Sequence, residues 1–202
     1  MRFVIAGSGG FSREVADLVI ELGHEVVAFF DEHPATTGHV PTGLPVVRDP
    51  GAIEFDAVAV AIGDAAARER IFATFAEWPK PVLAHRSASV SPSAVIGEGS
   101  IVMHNAVVSA QASLGRGVIV NVGCYVAHDC SVGEFTHLAA GVNLGGGATV
   151  GPGCLCGTGT IVLPRVAIGS AVVTGAGAVV TRDVADGVVV TGVPARILPA
   201  AE

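Results

Sequence analysis

Aromatic side chains are scarce in this chain: one Trp, one Tyr and eight Phe among 202 residues. Aromatic packing is therefore not expected to build the core. Half of the residues are hydrophobic and 27 are glycine, so the interior must be built from small and β-branched side chains. Basic residues are also few. Eleven Lys and Arg stand against eighteen Asp and Glu, and a net charge of −7 argues against an extended phosphate backbone as partner. Long apolar runs are lacking too. The opening run Phe3–Ala6 is a strand's length and is followed at once by Gly7, so neither a signal peptide nor a membrane span is expected. The chain reads as cytoplasmic, with no nucleic-acid or membrane partner.

What is present is a repeat. Every sixth residue from Val90 to Val180 is Val, Ile or Leu, except Cys156 and Thr174. Four residues after each of these stands a small side chain: Ala94, Ser100, Ala106, and so on to Val184. A register held that long predicts a parallel β-helix in which three hexads make one coil and about five coils stack. The aliphatic residue should point inward above its equivalent eighteen residues away, with the small residue near the corner. Gly follows the aliphatic residue in half of the hexads, where it is expected to relieve backbone strain at the turns. Cys124, Cys130 and Cys154 fall on the small interior position and Cys156 on the aliphatic one. All four therefore read as buried, reduced packing residues rather than metal ligands, and no metal is expected; Cys154 and Cys156 also lack the usual zinc spacing.

Residues 1–80 follow other rules. Arg2–Ala6 reads as a strand, Gly7-Ser8-Gly9-Gly10 as a turn and Phe11–Leu22 as a helix stopped by Gly23. Val26–Phe30 and Ala57–Ile62 read as further strands, the first ending in Asp31-Glu32, the second followed by Gly63-Asp64 and a helix through Phe75. This is a half-Rossmann-like βαβ unit with a glycine turn at a helix N-terminus, where free N–H groups favour phosphate. The dinucleotide fingerprint is partial, since Ser12 replaces its third glycine, and there is room for about three strands. A mononucleotide or sugar nucleotide suits that half-fold better than NAD; a scaffold turn without ligand is the alternative. Trp78-Pro79-Lys80-Pro81 reads as a stiff joint to residues 81–202.

Together, Gly7-Ser8-Gly9-Gly10, the hexads, Val126-Ala127-His128-Asp129-Cys130 and the ending Gly192-Val193-Pro194-Ala195-Arg196 resemble the bacterial sugar acetyltransferases of the left-handed β-helix superfamily. The nearest branch holds sialic acid O-acetyltransferases and UDP-4-amino-sugar N-acetyltransferases. The resemblance covers nearly the whole chain. It implies a left-handed coil and a homotrimer with acetyl-CoA between adjacent helices. It implies that His128 is the general base and that Asp129 raises its basicity. His137 would contact the thioester region of acetyl-CoA, with Thr158 and Ala176 lining the cofactor path. Gly9, Gly10, Phe11, Asp31, Glu32 and Gly63 would bind the sugar nucleotide. Two residues depart from the family pattern. Phe11 stands where the amino-sugar enzymes carry histidine, and Asp129 where some carry glutamate.

The residues support this chemistry on their own terms. His24, His33, His39 and His85 lie outside the repeat and suit surface or turns, and His104 suits surface. His128 differs in having an acid beside it and His137 nine residues on. Attack on a thioester requires removal of a proton from the amine or hydroxyl, a task for imidazole near neutral pH. A developing oxyanion needs a donor, either His137 or a backbone N–H. Neighbours on a strand face opposite ways, so pairing of His128 with Asp129 requires a corner. Arg165, Arg182 and Arg196 are candidates for cofactor phosphates or solvated surface. The leading expectation is N-acetylation of a nucleotide-linked amino sugar with acetyl-CoA. O-acetylation of a sialic acid, a non-catalytic β-helix scaffold and a carbonic-anhydrase-like enzyme are the rivals.

Overall fold

The computed structural model describes residues 1–32 and 43–199; His33 and His39 lie outside them. The chain forms two compact units, Met1–Leu83 and Ala84–Glu202.

In the first unit, β1 (Arg2–Ala6), β2 (Glu25–Phe30), β3 (Val46–Val47) and β4 (Ala57–Val60) form a parallel sheet in the order β3-β2-β1-β4. The sequence signalled three of these strands. β3 is two residues long, too short to carry an alternating pattern, and is held by pairing with Phe29 and Phe30. β1 and β4 are buried along nearly their whole length, as parallel strands covered on both faces must be. α1 (Gly10–Glu21) buries Val15, Leu18 and Val19, one stripe at helical spacing, and ends where Gly23 takes a left-handed φ of 84°. α2 (Ala65–Thr74) starts at Asp64, whose carboxylate accepts from the Ala67 N–H at 2.8 Å. The expected joint is packed into this unit. Trp78 stacks on Phe55 at 5.3 Å, the Pro79 carbonyl accepts from the Val58 N–H, and Lys80 is buried with its ammonium 5.0 Å from the Phe72 ring centre.

The second unit is a left-handed parallel β-solenoid of two-residue strands. Its three faces are sheets of eight, six and five strands, here called the first, second and third face in the order the chain visits them. Residues eighteen apart pair in register, as Val108, Val126 and Leu144 do on the second face. From Val102 to Val180 the aliphatic series is buried throughout; Val90, on the first rung of the second face, is exposed. The small series is also interior, and its polar members share one bond. Ser100, Cys124, Cys130, Thr136 and Cys154 each donate to the carbonyl fifteen residues on, at 2.7–3.2 Å. Thr174, an exception in the aliphatic series, exchanges a 2.7 Å bond with Thr160, so two polar side chains satisfy each other in the lumen.

The glycines divide into two groups, and this corrects the expectation for those that follow the aliphatic residue. Their φ is not positive. Instead the next coil passes so close that a Cβ on Gly97 or Gly133 would meet its backbone at 2.5 or 2.3 Å. The turn itself lies two residues later. Every sixth residue from Gly99 to Gly177 has positive φ, including Asn105, Gln111, Asp129, Phe135, Arg165 and Ala171. Close stacking requires the first glycine series, and the corner geometry favours the second.

The last coil is closed by side chains. Asp183 accepts from the Ala167 N–H at 2.8 Å and Asp186 from the Ser170 N–H at 2.7 Å. On the first face the antiparallel strand Arg196–Ile197 covers Val189–Thr191.

Candidate active site

The first unit holds a cavity of about 360 Å³ at the carboxyl ends of β1, β2 and β4, where ligands bind in sheets of this kind. It gathers Gly9, Gly10, Phe11, Asp31, Glu32 and Gly63, all six residues expected there from sequence. The turn at Gly7 is tight for two reasons. Its φ is 120°, and a Cβ would stand 2.8 Å from the Ala61 carbonyl oxygen. Gly7 is also tied to β2 by a 2.8 Å bond from its N–H to the Phe30 carbonyl. Ser8 is nearly buried and donates to the Asp31 carboxylate. Ser12, at the position of the fingerprint's third glycine, is fully buried and donates to the Gly9 carbonyl at 2.6 Å. The site of Ser12 is therefore filled by a helix-closing hydroxyl, while Gly9 and Gly10 remain open to the cavity.

Two arginines on α2 were not singled out by the sequence. Arg68 and Arg70 lie two positions apart, so they leave the helix in opposite directions. Arg68 is buried and donates to the carbonyls of Ile62 and Gly63 at 2.5 and 2.8 Å, which fixes the loop forming one cavity wall. Burial pulls its pKa down to about 10, opposed by the Asp64 carboxylate. Arg70 reaches the cavity and pairs with Glu32 at 2.9 Å.

In the solenoid, His128 and Asp129 occupy the corner between the strands Tyr125–Val126 and Ser131–Val132. The φ of Asp129 is 61°, and this left-handed turn brings two successive side chains together: Nδ1 of His128 lies 2.7 Å from a carboxylate oxygen of Asp129. Both side chains are about two-thirds exposed. The Nδ1 contact leaves Nε2, which lies over Gly146, as the ring atom able to accept a proton. One coil on, Gly146 lies beneath the imidazole, and its neighbour Gly147 donates to the His128 carbonyl at 2.9 Å.

His137, Thr158 and Ala176 lie elsewhere on the solenoid. His137 points outward from the first face, with Nε2 3.5 Å from the Asn121 amide nitrogen. Thr158 and Ala176 are exposed on successive coils of the corner joining the first and second faces. His128 is at the next corner, between the second and third faces. The four cysteines are free and buried; burial pushes Cys124 up to about 11 and Cys156 to about 12. No three His, Cys, Asp or Glu side chains gather into a metal-holding group among the described residues. His85 and His104 form a tilted pair, ring centres 5.5 Å apart.

Residues 2–75 match the PglD N-terminal domain family. No curated protein matches the chain. Among solved structures, the acetyltransferase domain of PglB from Neisseria gonorrhoeae is 36% identical, with a TM-score of 0.90 and 98% of this chain and 99% of that chain covered. PerB from Caulobacter crescentus, solved with CoA and GDP-perosamine, is 36% identical with a TM-score of 0.91 over 98% of each chain. The chain belongs to this family of left-handed β-helix amino-sugar acetyltransferases. A further member, WeeI from Acinetobacter baumannii, is 28% identical with a TM-score of 0.89, over 98% of this chain and 100% of that one. The PglB domain is also known with acetyl coenzyme A, and the Caulobacter enzyme as histidine-to-asparagine and histidine-to-alanine variants.

Within the family's fold, the residue that sequence reading missed at the His128 corner is Gly146. Its signal was available, because eighteen residues separate it from His128, one full coil. Arg68 and Arg70 gave no such signal; their roles depend on where a helix face meets a loop.

Proposed function

We propose that the His128–Asp129 corner is the catalytic centre at which this acetyl-CoA-dependent N-acetyltransferase acylates the amino group of a nucleotide-linked sugar. The observation that carries the residue assignment is the 2.7 Å contact at a solvent-facing corner, which leaves Nε2 to accept a proton from the incoming amine. As the proton passes to His128, the nitrogen attacks the thioester carbonyl; the carbon–sulfur bond then breaks, and the imidazolium returns the proton to sulfur so that CoA leaves as the thiol. Asp129 holds the imidazole by Nδ1 and stabilises the imidazolium formed after proton transfer. The oxyanion needs a donor nearby. We assign this part to the Gly146 N–H, because Gly146 lies one coil on, against the imidazole.

We assign the nucleotide to the first-unit cavity, with the glycine turn and the start of α1 turned toward its phosphates. Acetyl-CoA is assigned to the surface carrying His137, Thr158 and Ala176. Because His137 lies on the first face and Thr158 and Ala176 on a different corner from His128, a neighbouring solenoid must bring the two together, and a homotrimer supplies one. The outward apolar residues Tyr125, Leu155, Ile161 and Val173 on the first and second faces suit that contact. The test is His128→Ala. Turnover with acetyl-CoA and nucleotide amino sugars should fall roughly 10²–10⁴-fold with acetyl-CoA affinity retained. Turnover within a few-fold of wild type would remove His128 as the base.

A further inference from the structure

The cavity of the first unit poses an electrostatic problem. Asp31 and Glu32 bring two carboxylates to it, and Arg70 is the one cation among the described residues that line it. A nucleoside diphosphate entering such a cavity meets a wall of its own sign. The amide groups at the start of α1 offset part of this, since the helix N-terminus behaves as about half a positive charge. They do not match a diphosphate by themselves, and Arg13, the basic residue in the opening turn of α1, is not among the residues lining the cavity.

Arg70 is held now by Glu32, at 2.9 Å, with their side chains 60% and 35% exposed. An ion pair this open to water is weakly held, so its partners can separate for a better one. A diphosphate is a better partner, because a planar guanidinium donates two parallel bonds to phosphate oxygens. Arg68 cannot take this part: it is buried and committed to the Ile62 and Gly63 carbonyls. The two arginines thus divide the work, one fixing the cavity wall and one facing its contents.

Resting on the reading of this cavity as the nucleotide site, we infer that Arg70 is the residue that recognises the diphosphate, passing from Glu32 to the ligand when the nucleotide sugar binds. Glu32 is its resting partner and a counterweight that disfavours anions lacking the rest of the nucleotide. Selectivity for diphosphates over nucleosides therefore resides in Arg70.

The experiment is calorimetric titration of the full chain with nucleoside, monophosphate and diphosphate in the uridine, guanosine and thymidine series. In the series that binds, Arg70→Met should weaken the diphosphate by about tenfold or more. Its affinities for the nucleoside and for acetyl-CoA should stay within about twofold, a difference too small to represent a lost hydrogen bond. Arg70→Lys should recover part of the loss. Equal losses for nucleoside and diphosphate, or an unchanged diphosphate affinity, would overturn the assignment. If no series binds the wild-type protein, the nucleotide reading of the cavity fails, and Arg70 with it. Binding that ignores Arg70 removes only this inference.

Discussion

The imidazole of His128 lies against the α-carbon of Gly146: a methyl group there would stand 2.7 Å from both Cε1 and Nε2. The obstacle would be met by the free end of an exposed side chain, so the fold need not yield. Gly146→Ala should therefore swing the imidazole off its place with little effect on unfolding. Turnover should drop by roughly 10²-fold or more, as when a catalytic base is displaced. Kinetics and a urea melt run together check this. A melt that shifts as much as activity would mean the glycine serves the coil.

Asp129→Asn keeps the shape of the corner but removes the anion facing Nδ1. Its loss of turnover should be smaller than that of His128→Ala, and the double variant should lose little more than His128→Ala alone, because the two act as one unit. Additive losses in a double-mutant cycle would separate them.

Arg68→Met takes the donor away from the Ile62 and Gly63 carbonyls. We expect a loss of about 1–3 kcal/mol in stability, typical of buried polar groups left unpaired. Nucleotide affinity should fall further than acetyl-CoA affinity, since the loop walls the cavity. Thermal denaturation and the two titrations provide the comparison.

The buried thiols set a pH window. An ordinary thiol titrates at 9.0, while Cys124 is raised to about 11 by burial. Below pH 9 both folded and unfolded chains keep the proton. Between 9 and 11 the unfolded chain releases it first, so stability should fall as pH rises through that window. Cys124→Ala should flatten part of the fall. At pH 8 a disulfide-exchange reagent should leave the native thiols untouched and titrate all four in denaturant.

Ala176→Trp tests the acetyl-CoA surface. Ala176 is exposed, and the neighbouring interior residues Thr174 and Ala178 are untouched, so the coil should form and the assembly persist. Acetyl-CoA affinity should fall while nucleotide affinity stays. An unchanged acetyl-CoA affinity, or a monomeric wild type by light scattering, would sink this placement.

Much of the solenoid was legible because its rule is arithmetic. A buried aliphatic residue every sixth position leaves a trace in the sequence that short strands of two residues otherwise would not. The glycines were harder. Those at close stacking positions and those at left-handed corners look alike as letters, and only neighbours eighteen residues away tell Gly133 from Gly147. The pairing of His128 with Asp129 was likewise hidden, since it depends on the sign of one backbone angle. In the first unit, glycine spacing and the acidic end of β2 marked the cavity. β3 and the two arginines of α2 left no pattern, because a two-residue strand and a single side chain have no period.

A structure made of identical rungs carries nothing in its repeat that says where to stop. Every free edge of the last coil invites another molecule to continue the ladder, as open sheet edges do in fibres. Asp183 and Asp186 answer that hazard. By accepting from Ala167, the Asp183 carboxylate stands where Thr149, one coil earlier, meets the Val166 carbonyl, while Asp186 satisfies the Ser170 N–H. The antiparallel strand Arg196–Ile197, reversing the chain direction, closes the first face against parallel growth. Side chains and a reversed strand thus occupy the edge that a further parallel coil would otherwise pair with.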